Sequence, residues 1–153
     1  MNNALSKIIQ SNSGLDTLAL RLGGGVIFAA HGAQKLFGWF GGYGLEGTAG
    51  WMASIGLAPG LLMAALAGGA EFFGGLLLIA GLLVRPAALI LAGTMVVAIA
   101  TVHLANGLFM SNNGYEFALA LLVLSISLVF RGAGSLSADR ALLAKLSGHT
   151  PRK

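Results

Sequence analysis

Seven side chains in a strongly apolar chain are of types that move protons or orient a polar ligand: His31, Gln34, Lys35, Glu71, His103, Asn106 and Glu116. Glu71, His103 and Glu116 are the candidate catalytic groups, because carboxylates and imidazoles exchange protons near neutral pH once burial and neighbours tune them. His31, Gln34, Lys35 and Asn106 are candidate ligand-binding groups, joined by the indoles of Trp39 and Trp51. Helical spacing groups them further: Lys35 lies one turn past His31, and Asn106 one turn past His103. The histidines and carboxylates have no metal-ligand spacing, so no metal site is expected. The chain has no cysteine, so it offers no disulfide, thiol nucleophile or iron–sulfur ligand of its own.

The elements that must position these groups are membrane helices. Hydrophobic residues make up 56% of the 153 and charged residues 9%. A soluble domain carries about 25% charged residues, so this chain has too few to cover a water-facing surface. Neither the stretch between Glu46 and Glu71 nor that between Arg85 and Glu116 contains a charged residue. Uncharged apolar runs of about 20 residues read as membrane spans. The expected fold is all-α, a four-helix transmembrane bundle within a single domain over 1–153, with spans near 15–40, 59–84, 87–110 and 115–130. A short helix within 1–13 suits the membrane surface, and Ser13 with Asp16 resembles a helix start. A short interfacial helix over Thr48 to Ile55 follows the first span, flanked by Trp39, Tyr43 and Trp51 at headgroup level. Pro59 suits the first turn of the second span. Arg85–Pro86 is the expected connection between spans two and three. Ser137 can cap an amphipathic C-terminal helix with Leu142, Leu143 and Leu146 on one face, ended by Gly148, within a tail over 136–153.

The segment "GYGLEG", Gly42 to Gly47, has the letters of a dinucleotide-binding turn. That turn needs a strand before it and a βαβ unit around it. Here a membrane helix precedes it, so its glycines serve a sharp backbone turn instead. The net charge of +4 does not point to nucleic acid, because the basic residues follow membrane topology. Lys7, Arg21, Arg85, Arg131, Arg140, Lys145, Arg152 and Lys153 fall on one side of a four-span chain and Lys35 on the other. That asymmetry places both termini in the cytoplasm, in a multi-pass protein of a bacterial inner (plasma) membrane.

Depth then brings the polar groups together. At 1.5 Å per residue, His31 lies about 24 Å along the first span, Glu71 about 18 Å down the second and His103 about 24 Å up the third. Glu116 opens the fourth at the outer side. All seven groups therefore converge in the outer half of the bundle, while Arg21 stands apart near the inner side, where it can snorkel. Ionisable groups in a bilayer are costly and so are functional candidates. Structural readings compete: Lys35 and Glu116 as paired interface anchors, His103 hydrogen-bonded to a carbonyl, and Glu71 in an ion pair with Lys35 or His31. The glycines at 23–25, 32, 68–69 and 74–75 suit close helix packing.

The blocks "HGAQKLFGWFGGYGLEGTAGWMASIGLAPG", "AGGAEFFGGLLLIAGLLVRPAAL", "MVVAIATVHLANGLF", "GYEFALALL" and "GAGSLSAD" resemble, in order and spacing, the signature of the DoxX family over residues 20–139. The resemblance implies a protein similar to a four-helix membrane subunit of thiosulfate:quinone oxidoreductase. Mycobacterial members are associated with superoxide dismutase and a sulfurtransferase in a membrane oxidoreductase complex linked to oxidative stress. Soluble or membrane redox proteins are thus the implied partners, beside membrane lipid, and a homo-oligomer is compatible. The expected function is an integral membrane subunit of a redox system that binds a quinone or similar small redox ligand in the outer half. No covalently bound cofactor is implied, and electrons must come from a partner or a bound cofactor. Three alternatives stand beside it: a non-catalytic anchor recruiting soluble oxidoreductases, a small transporter with a Glu71–His103 proton relay, and bis-histidine haem on His31 and His103, which two histidines alone support weakly.

Overall fold

Helix formation follows the apolar runs, and their breaks follow glycine. The computed structural model describes residues 7–11 and 14–146, and among these there is no strand. Helix α1 spans Asp16–Phe37 and stops at Gly38, whose φ of 72° suits a residue without a Cβ. A 3₁₀ turn, Trp39–Gly41, leads to the short helix α2, Gly44–Ser54. Helix α3 is Gly60–Ala80, closed by Gly81 in the left-handed region. Helix α4, Val84–Ala98, continues as a π-helical turn over Ile99–His103 and a 3₁₀ turn over Leu104–Asn106. Helix α5 is Glu116–Arg131 and α6 is Ala138–Leu146.

The long helices α1, α3, α4 and α5 form a ring in that order. Helices α1 and α3 approach closest because glycines face each other. A Cβ on Gly25 would stand 2.7 Å from the Gly75 carbonyl oxygen, and one on Gly75 2.5 Å from the Ala29 nitrogen. Small residues at such a seam replace side-chain bulk with backbone contact. Phe28, Leu78, Leu91, Leu121 and Leu128 fill the centre. The outward faces are apolar as well: Leu66 and Phe73 on α3, Ile90 and Val97 on α4, and Val123 and Phe130 on α5 are exposed. A contiguous apolar exterior of this size suits hydrocarbon rather than water. Gly60–Ala80 and Val84–Asn106 are each long and apolar enough to cross a membrane. Helix α1 carries Asp16, Arg21 and Lys35, and α5 has only 16 residues, about 24 Å at helical rise.

Several expected boundaries move. Trp39 and Phe40 leave the first helix for the 3₁₀ turn, and α2 begins at Gly44 rather than Thr48. "GYGLEG" is thus the start of an interfacial-type helix that follows another helix. Arg85 and Pro86 lie in the first turn of α4, and the connection is Gly81–Leu83; proline fits there because a first turn needs no donor from it. Ser137 does cap α6, its Oγ accepting the Arg140 N–H at 3.2 Å. Residues 7–9 form a single helical turn. Ser13 and Gly148 lie outside the described residues.

At the α6 end, Arg21 does not snorkel. It is 1% exposed, and its Nη2 donates to the Leu136 carbonyl at 2.5 Å. Thr17 donates to the Ala133 carbonyl, and Arg85 to those of Gln10 and Val129. Asp16 pairs with Arg131. The Asp139 carboxylate accepts N–H bonds from Leu83 at 2.7 Å and Val84 at 3.1 Å, which fastens α6 to the start of α4.

Candidate functional site

At the opposite end, α1 brings Lys35 against the middle of α3. Gly68 leaves room for this: a Cβ there would stand 3.2 Å from the Lys35 Cβ. Glu71, nearly one turn further along α3, then meets the ammonium. Lys35 Nζ donates to Glu71 Oε2 at 2.5 Å, with the Glu71 side chain 6% exposed and that of Lys35 24%. Of the two partners expected for Glu71, the structure pairs it with Lys35. A buried carboxylate in apolar surroundings requires such a cation, because its desolvation otherwise favours protonation. Thr48 of α2 donates to the Lys35 carbonyl at 3.3 Å, so the short helix is tied over the pair.

His31 lies one turn below Lys35, exposed at the surface of the bundle. Its ring sits 6.0 Å from that of Phe117, tilted by 52°. The Gln34 amide lies beside it, and Lys35 and Glu71 are close enough to act on it electrostatically. Gln34 also donates to the Phe40 carbonyl at 3.3 Å, which anchors the turn after α1.

His103, Asn106 and Glu116 form a second group around the 107–115 loop. His103 Nδ1 lies 2.9 Å from the Asn113 carbonyl oxygen. A carbonyl only accepts, so this nitrogen carries the proton, and in the neutral ring Nε2 is left as an acceptor. The Asn106 amide donates to the same carbonyl at 3.3 Å and to that of Val102 at 3.0 Å. Glu116 Oε1 accepts the Met110 N–H at 2.6 Å, so the anchor pairing of Lys35 with Glu116 does not form. His31 against Phe117, the neighbour of Glu116, is where the two groups approach. The Trp39 ring lies tilted against Phe37 with centroids 5.1 Å apart, Phe37 meets Phe72 edge-on at 5.2 Å, and Trp51 is exposed on α2.

The chemistry available is proton exchange and polar orientation. Among the described residues, no group of three or more His, Cys, Asp or Glu side chains could hold a metal ion. Sequence reasoning missed one participant in the site, Phe117, and one buried carboxylate at the α6 end, Asp139. Phe117 has no polar signal, and only its place beside Glu116 marks it. Asp139 was passed over because a carboxylate behind a Ser cap reads as a solvated first turn; it is 1% exposed. Burial pushes its carboxyl above the usual value of 3.8, against the opposing pull of the Leu83 and Val84 amides and of Arg21.

A family model described as DoxX matches residues 17–104. A Bacillus subtilis (strain 168) protein described as "Putative oxidoreductase CatD" is 38% identical over 125 residues, which cover 82% of this chain and 85% of that protein. No solved structure matches. The matched segment includes nearly all of α1 and runs on to Leu104, and so holds both partners of the ion pair together with His31 and His103.

Proposed function

This chain belongs to the DoxX family, whose members are membrane-associated, and on that premise we propose that it is the membrane component of a redox system that binds a quinone-type ligand near His31. The observation that carries the reading is the Lys35–Glu71 pair, set at mid-length of α3 with the His31 ring and Gln34 amide beside it. An ion pair alone holds helices together. An exposed imidazole and a half-buried amide next to it, beside a largely apolar exterior, do more than holding requires. A few polar groups that orient a mostly apolar ligand are the usual pattern of a small-molecule site. The relative's description as an oxidoreductase supports a redox role.

In this reading the bundle spans the membrane four times, with the α6 end cytoplasmic and the α2 end outside. The eight-to-one distribution of basic residues supports that orientation. Reducing a quinone takes two electrons and two protons. The electrons come from a partner oxidoreductase, since the chain has no cysteine to ligate a cluster. Its own residues orient a quinone oxygen through His31 and Gln34, and Glu71, balanced by Lys35, holds or releases a proton beside it. His103, with Nδ1 held by Asn113, keeps Nε2 free to exchange protons with the outer surface.

Titration of purified protein with a short-chain quinone, followed by tryptophan fluorescence or calorimetry, tests the proposal. Saturable binding weakened at least tenfold by His31→Ala, and untouched by Arg140→Ala on the exposed α6, is the expected result. No saturable binding by the wild type would transfer the assignment to a second reading, the anchor. That one is favoured by α6, which is clasped to the bundle by Asp139 while Arg140 stays exposed to a cytoplasmic partner.

A further inference from the structure

The ring of helices is unequally closed. Of its four sides, that between α1 and α5 is the least packed. Along it α1 presents Gly24, Ile27 and His31, and α5 presents Leu124, Ala120 and Phe117, each roughly one turn apart. The seam is filled at mid-height: a Cβ on Gly24 would stand 2.7 Å from a Leu124 methyl. Toward the α2 end it is spanned by the His31–Phe117 ring contact, 6.0 Å between centroids, with both rings at the surface. Ala120 and His31 are exposed, and Phe117 is 36% exposed.

The aqueous side of the same site is covered. Thr48 of α2 donates to the Lys35 carbonyl, and Gln34 donates to that of Phe40. Gly42 lies so close against the Gln34 backbone that a Cβ would have no room. A ligand reaching the Lys35–Glu71 pair thus finds backbone above it and the least packed side of the ring beside it. That side faces the apolar exterior, yet carries an imidazole beside the Gln34 amide, polar groups that are costly there unless their remaining hydrogen-bonding atoms are met.

We infer that the α1–α5 seam is a lateral opening to the bilayer, taking an amphiphile with a polar ring head and a single apolar tail. The head lies at His31 and Gln34 against the Phe117 ring, and the tail runs out over Ala120. The inference rests on the quinone reading above and adds to it the route and two residues, Phe117 beside the head and Ala120 under the tail. Neither is polar, and both act by shape.

The test compares a prenyl-tailed benzoquinone with its tail-less parent, on wild type, His31→Ala and Ala120→Trp in detergent. Ala120 is exposed, so a tryptophan there covers the tail path without entering the core. If the variant melts low, Ala120→Cys blocked after purification with a bulky thiol reagent replaces it, since the chain has no other cysteine. The expected result is that blocking position 120 weakens the tailed quinone tenfold or more and the tail-less one less than threefold, while His31→Ala weakens both. If the blocked protein binds the tailed quinone as wild type does, and His31→Ala still loses both, the site stands and the lateral opening is overturned. If wild type binds neither quinone, the reading of the site falls and the opening falls with it.

Discussion

The Lys35–Glu71 pair makes an asymmetric prediction, because its two partners are unequally buried. Lys35→Met leaves the Glu71 carboxylate, 6% exposed, without its cation. Breaking a buried pair from one side costs about 3–5 kcal/mol, unless the remaining group takes up a proton. Glu71→Gln leaves the Lys35 ammonium instead, and that side chain is 24% exposed at the last turn of α1. It can swing toward the membrane surface, and a charge that snorkels costs less, about 1–2 kcal/mol. The double variant Lys35→Met/Glu71→Gln removes both charges and should return to within about 1 kcal/mol of wild type. The coupling is then about 3–7 kcal/mol, at or above the usual range for residues in contact. For a chain of this size each kcal/mol shifts the midpoint by about 2–4 °C. Lys35→Met should therefore lower Tm by about 6–20 °C, Glu71→Gln by less than half as much, and the double variant by less than either. Thermal unfolding in a single detergent at pH 7 measures all four proteins. Additive losses would refute a direct pair, and a larger loss for Glu71→Gln than for Lys35→Met would refute the argument from burial.

Three further outcomes are expected. Gly32→Ala drives a Cβ into the Phe72 backbone and should cost about 2–3 kcal/mol, whereas Gly69→Ala meets nothing within 4 Å and should gain about 0.5–1 kcal/mol by helix propensity, both read by melting. The raised pKa of Asp139 means that the native carboxyl keeps its proton where the unfolded one, near 3.8, has lost it; the native state then binds more protons, so the stability of wild type relative to Asp139→Asn should fall as pH rises above about 4 and level off above the native pKa, as melts across a pH series would show. A reporter fused after Lys153 should be active only on the cytoplasmic side, and activity outside would overturn the orientation.

How much was legible from sequence depended on which assumption each residue tested. Depth arithmetic needs only a constant rise per residue, and α1 and α3 keep it, so Lys35 and Glu71 were placed together correctly. The same arithmetic on α4 assumed an unbroken α-helix. The structure inserts a π-helical turn at Ile99–His103 and a 3₁₀ turn after it. A π turn is a local widening of the helix that no pattern of apolar residues announces, and it commonly marks functional positions. His103 and Asn106 therefore converge on the Asn113 carbonyl rather than on the Glu71 side of the bundle. Glu116 was assigned to the same site by depth alone, but hydrogen-bonding demand decided its partner: the loop N–H of Met110 is closer than any cation.

Arg21 shows that a charge's helical face matters more than its depth. Its position near a helix end suggested an ammonium-like escape to water. Yet Thr17, Arg21, Gly24, Phe28 and Gly32 recur at intervals of three and four, and all are buried. Arg21 lies on the stripe that the glycines mark as the packing face, so its guanidinium points inward, where its length lets it reach the Leu136 carbonyl. The two cations of α1 thus end up alike. Each sits on the inward face near one end of the helix, and each secures a different segment: Lys35 fixes α3 through a carboxylate, and Arg21 fixes the approach to α6 through a carbonyl. The difference lies in what stands beside them. Arg21 is enclosed by the 133–139 segment and Gly81, which leaves no path for a ligand. Lys35 has an exposed imidazole one turn away and an under-packed seam leading to it. Burial of a charge therefore does not by itself separate a structural pair from a functional one in this bundle, and it is access that motivates the proposal of a ligand at the pair with Glu71.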